Sequence, residues 1–112
     1  MNIRAFQLKC QARDSILFPE CVDWTPADRL VELIGELGEA ANIQKKLKRD
    51  YNSVRFEDLE MEAGDAFVSF CLWATGLNVD LETAAIKAYN KVLDRKESDM
   101  RRLDDLRRED HS

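Results

Sequence analysis

The sequence is short of the residues that punctuate or cross-link a chain. Four Gly and two Pro in 112 residues leave few points at which a helix must stop. One histidine, His111, sits beside the end of the sequence, which argues against Ser-His, Cys-His and His-metal chemistry. The three cysteines, Cys10, Cys21 and Cys71, are odd in number and form no CxxC pair. They read as reduced thiols of a cytoplasmic protein, with no zinc site. No apolar run approaches the roughly 18 residues of a membrane span, and "MNIRAFQLKCQARD" is too polar for a secretory signal. A basic surplus is also missing. The net charge of −5 excludes nucleic acid as a primary partner, because phosphate backbones need a basic face.

Charge and helix periodicity are abundant instead. Charged residues make up 35% and hydrophobic ones 45%, which describes one mostly helical domain over residues 1–98 followed by a charged, helical or frayed tail over 99–112. Ile3, Phe6, Cys10 and Leu17 are loosely helix-spaced and predict a first helix over about 2–16. After "FPECVDW", Thr25 is placed as an N-cap, Pro26 as the first helical residue and Asp28 as the capping-box acid. That second helix runs to about Lys48, with Leu30, Leu33, Ile34, Leu37, Ala40 and Ala41 as its apolar stripe. A third helix is expected from about Glu57 to Gly76. Its second half, "AFVSFCLWA", is apolar on all sides, so burial on every side and an oligomer interface are expected. Asp80 caps a fourth helix running from Leu81 to about Arg95.

Two sets of acids stand beside these apolar stripes. Residues three and four apart share a helix face, so Glu32, Glu36 and Glu39 align on the second helix, and Asp58, Glu62 and Asp65 on the third. Any one such pair is ordinarily a solvated helix edge. Two pairs flanking apolar stripes, each next to glycine (Gly35, Gly38, Gly64), are harder to assign to solvation. Buried carboxylates need a partner, and clustered carboxylates without His or Cys suit a hard dication such as Mg²⁺. The missing glycine side chains would let another helix, or a phosphate with its metals, come close.

The stretches "LIGELGEAANIQKKL", "EAGDAFVSFCLWATGLNVDLETA" and "YNKVLDR" together resemble the MazG-like all-α nucleoside triphosphate pyrophosphohydrolases, with phage members of the dCTPase-like branch nearest. The family signature, ExxE, a spacer and ExxD, falls on Glu36, Glu39, Glu62 and Asp65, and the resemblance covers about residues 24–98. It implies a four-helix bundle assembled as a homodimer or dimer of dimers, with sites near subunit interfaces. It also implies Mg²⁺, with Mn²⁺ as a substitute, held by the four acids. The implied reaction cuts a nucleoside triphosphate, a dNTP above all, between the α and β phosphates to a monophosphate and pyrophosphate. Such proteins control nucleotide pools.

Expected substrate contacts are Asn90 and Arg95, which fall on family positions, with Lys46, Lys87 and Lys91 as further phosphate partners. Ala88 stands where the family often has a lysine, so the role stays open between Lys87 and Lys91. Trp24 either stacks on the base or serves as a hydrophobic staple on its own helix; Phe70 and Trp73 are expected in the core. The dCTPase branch has an aromatic residue where Lys46 stands and another near Ser69; neither is aromatic here, which argues against a cytosine preference. Two other functions compete: a non-catalytic helical oligomeric interaction module, and a related phosphohydrolase, for instance one acting on phosphoribosyl-ATP.

Overall fold

The computed structural model describes residues 2–103; residues 104–112, which include His111 and most of the charged tail, lie outside the described residues. Four α-helices follow one another: α1 (Ile3–Leu17), α2 (Pro26–Arg49), α3 (Phe56–Gly76) and α4 (Leu81–Arg95), with a 3₁₀ turn at Pro19–Cys21 between α1 and α2. There is no strand among the described residues. Over the described residues the fold is all-α with four helices, and none of these helices is long and apolar enough to cross a membrane.

The helix starts are written in side-chain chemistry. At α2, the Asp28 backbone N–H donates to Thr25 Oγ1 and the Thr25 N–H donates to Asp28 Oδ2 at 2.8 Å, a reciprocal capping box. Two of the donors left over at a helix start are thus satisfied. At α4, Asp80 accepts from the N–H groups of Glu82 and Thr83, and at α1 Asn2 accepts from Ala5. α3 has no side-chain cap and begins with Arg55 in extended conformation. In the turn between α3 and α4, Asn78 is left-handed at φ 58°, a conformation asparagine tolerates.

α2 and α3 form the largest helix–helix contact, α1 packs on α3, and α4 leans on α1. The core lies where α1, the end of α3 and the start of α4 meet: Cys10, Cys71, Leu72, Ala74 and Leu81 are buried, with Phe6, Val68 and Trp73 packed against them. Gln7 is fully buried at its centre. Its Nε2 donates to the Val79 carbonyl at 2.8 Å and to Thr75 Oγ1 at 3.2 Å, and its Oε1 accepts from the Leu81 N–H at 2.9 Å. One side chain therefore ties three helices together. All three cysteines are free thiols, and burial pushes Cys71 up to about 11.

Two apolar surfaces are more open than their sequence implies. Of the α2 stripe only Leu33 is buried; Ile34 is 60% exposed and Leu37 53%. In "AFVSFCLWA", Ser69, Cys71, Leu72 and Ala74 are buried, whereas Phe67 and Phe70 keep an open edge. The expectation of burial on every side, and of Phe70 in the core, is thereby corrected. Among the described residues α3 packs chiefly on α2 and α1, and its last turns also meet the start of α4. Outside the glycine's own helical turn, no heavy atom of the described residues comes within 4 Å of a Cβ placed at Gly35, Gly38 or Gly64, so the close helix approach expected at these glycines does not occur among the described residues. Beyond Arg95 the chain turns back through Glu97, at φ 49°, and residues 96–103 are not helical.

Candidate functional site

The α2–α3 pairing brings both acidic motifs to one place. Carboxylate oxygens of Glu36, Glu62 and Asp65 all lie within 4.8 Å of one another. Glu39 stands close enough for its charge to raise Glu62. Helical spacing accounts for this: Glu36 and Glu39 on α2, and Glu62 and Asp65 on α3, each sit on the face turned to the other helix.

The charges are poorly compensated. Glu36 Oε2 and Glu62 Oε2 are out of contact with solvent and have no hydrogen-bond partner among the described residues. Desolvation, followed by repulsion from Glu39, Asp65, Glu62 and Glu32, raises Glu36 above its ordinary value. Desolvation raises Glu62 likewise, with Glu39 and Asp65 adding to it. An orphaned, partly buried carboxylate oxygen is costly unless a proton or a cation meets it.

At the start of α2, about two helical turns before Glu36, a cleft of about 590 Å³ opens between the end of α1, the 3₁₀ turn, the start of α2 and the end of α3. Trp24, Asp14, Arg29, Phe18 and Leu72 are among its walls. The Arg29 guanidinium lies over the Trp24 ring, 4.9 Å from its centroid. Neither Arg29 nor Asp14 stood out in the sequence as a site residue. The usable signals were the Arg29/Glu32 spacing of three on α2 and the lone polar Ser69 within an apolar run. Ser69 is buried and its hydroxyl donates to Glu32 Oε1 at 3.2 Å.

The expected phosphate contacts are placed differently. Lys46 is exposed towards the end of α2. Lys87, Lys91 and Arg95 are exposed on α4, the helix that leans on α1. Asn90 is engaged by the chain itself: its Nδ2 donates to the Leu103 carbonyl and its Oδ1 accepts from the Leu103 N–H, each at 2.9 Å. Among the described residues, none of these side chains is ion-paired with the four acids.

Fold and site together define an all-α protein with a carboxylate cluster between two helices and a separate cleft at the start of the second. The chain is 31% identical over 105 residues to the "Gene 37 protein" of Mycobacterium phage L5, a match spanning 87% of this chain and 90% of that one, and it belongs to that protein's family. No family model and no solved structure matches it.

Proposed function

We propose that the protein is a divalent-cation-dependent nucleoside triphosphate pyrophosphohydrolase that cleaves a (d)NTP between its α and β phosphates. The observation that carries this reading is the convergence of Glu36, Glu62 and Asp65 within 4.8 Å, with two buried carboxylate oxygens left without partners. A hard, all-oxygen donor set of this kind fits Mg²⁺ or Mn²⁺. Glu36, Glu62 and Asp65 would hold the cation. When bound, it supplies charge neutralisation for the triphosphate and acidifies a bound water.

The remaining roles fall to the chain. Glu39 stands outside the three-acid set yet is near enough for its charge to act on Glu36 and Glu62, which suits it to accept a proton from the attacking water. The base enters the cleft against Trp24, so the triphosphate extends along α2 towards the acids. Phosphoryl chemistry needs this positioning and charge neutralisation more than a covalent nucleophile.

The reading includes a second copy of the chain. The radius of gyration is 17.0 Å, against about 13 Å for a compact chain of this length. Val31, Ile34 and Leu37 present an open apolar row on α2. A homodimer or homotetramer would cover that row and bring the α4 cations of one copy to the acids of another.

The test is a panel of NTPs, dNTPs and phosphoribosyl-ATP with Mg²⁺ or Mn²⁺, read by phosphate and pyrophosphate release. Pyrophosphate from at least one nucleoside triphosphate is expected. No release from any of them sinks the reading, and release from phosphoribosyl-ATP alone redirects it.

A further inference from the structure

The four acids have a fifth neighbour. Glu32 is one helical turn before Glu36, on the same face of α2, and its charge contributes to the upward shift of Glu36. Glu32 is engaged by partners outside the cluster. Ser69 donates to its Oε1 at 3.2 Å, and Arg29 Nη1 pairs with the same oxygen at 3.5 Å. The Arg29 side chain is only 15% exposed, and the same Nη1 lies 3.6 Å from Asp14 Oδ2. Asp14 has a cation of its own: Arg13 Nη2 pairs with its other oxygen at 2.8 Å. Glu32, by contrast, has Arg29 as its one ion-pair partner among the described residues.

We propose that Arg29 is a positioning residue for the carboxylate cluster: it holds Glu32 beside the cluster as a neutralised fifth acid, and so sets how tightly the cluster holds a divalent cation. The proposal rests on the metal reading above. Its physical content is Coulombic. A guanidinium salt-bridged to Glu32 cancels most of the field that this acid would add at the metal position. Removing the guanidinium leaves that field bare and the side chain free to swing towards the cluster.

The experiment is Mn²⁺ binding, followed by electron paramagnetic resonance of the free ion at low ionic strength, together with melting of the metal-free protein. The variants are Arg29→Met, Arg29→Lys, Glu32→Gln and the double variant Arg29→Met/Glu32→Gln. Arg29→Met is expected to bind Mn²⁺ about threefold more tightly or better, the size expected for one unit charge uncovered about 8 Å away in a high-dielectric site. Arg29→Lys keeps wild-type binding, and the double variant returns to it. Without metal, Arg29→Met melts lower, and Glu32→Gln relieves that loss while leaving the Arg29-containing protein almost unchanged. A purely structural role for Arg29 would lower stability without tightening Mn²⁺ binding. Unchanged or weaker Mn²⁺ binding by a folded Arg29→Met variant, or melting shifts that simply add, overturns the proposal. Failure of the wild-type protein to bind Mn²⁺ at all sinks the metal reading, and this inference falls with it.

Discussion

At the scale of single residues, the chemistry concentrates in carboxylates that are held together against their mutual repulsion. Glu36 keeps its proton to higher pH in the folded chain than in the unfolded one, because burial and its acidic neighbours raise it above 4.5. The folded state therefore binds more protons over that interval. Its stability contribution is complete below about pH 4.5 and is lost as pH rises through the raised value. The metal-free protein should thus melt progressively lower as pH climbs from 4.5, and Glu36→Gln should flatten the dependence. Melting curves across pH, with and without Mg²⁺, check this; a cation that occupies the cluster should reverse the loss at neutral pH.

Glu39→Gln should retain the fold and assembly and reduce pyrophosphate release about 10²-fold or more, read by steady-state turnover beside sedimentation. The thiols differ in the same local terms. Cys10 and Cys71 are buried, and burial raises both, whereas Cys21 is only half-buried and lines the cleft. Alkylation followed by peptide mass mapping should find Cys21 modified first.

At the scale of elements, the helix ends and the Gln7 junction carry the fold. Thr25 closes the capping box of α2, so Thr25→Ala should cost about 1 kcal/mol. Gln7 costs more to lose. Its amide serves the Val79 carbonyl, the Leu81 N–H and the Thr75 hydroxyl at the one point where α1, α3 and α4 meet. Gln7→Leu leaves the buried Leu81 N–H unpaired, and about 2–3 kcal/mol is expected from that group and its neighbours. Chemical denaturation of the two variants separates these figures.

At the scale of the whole molecule, the open row of Val31, Ile34 and Leu37 is the surface on which the proposed assembly would form. Monomeric proteins rarely leave extensive contiguous apolar surface uncovered, and a C₂ dimer would cover such a row with its own copy. Ile34→Glu should shift the protein to monomer by sedimentation and take pyrophosphate release with it, since the α4 cations then reach no acid cluster. A monomer that keeps full turnover would show that the site is complete in one chain.

The periodic and local features were legible in the residues alone. Thr25-Pro26-Asp28 and Asp80 are start signals whose partners lie within three residues, so they act the same way in any surroundings, and α2 and α4 begin where they stand. The acid pairs were legible for a related reason, because helical spacing places each pair on one face. What tertiary structure decided was which faces meet. The packing of α2 on α3 turned two pairs into one cluster, and it placed Ser69 on Glu32 from 37 residues away. It also left Ile34, Leu37 and Phe70 uncovered, although their apolarity alone promised burial. Apolar surface records that a partner is needed without recording whether that partner belongs to the same chain.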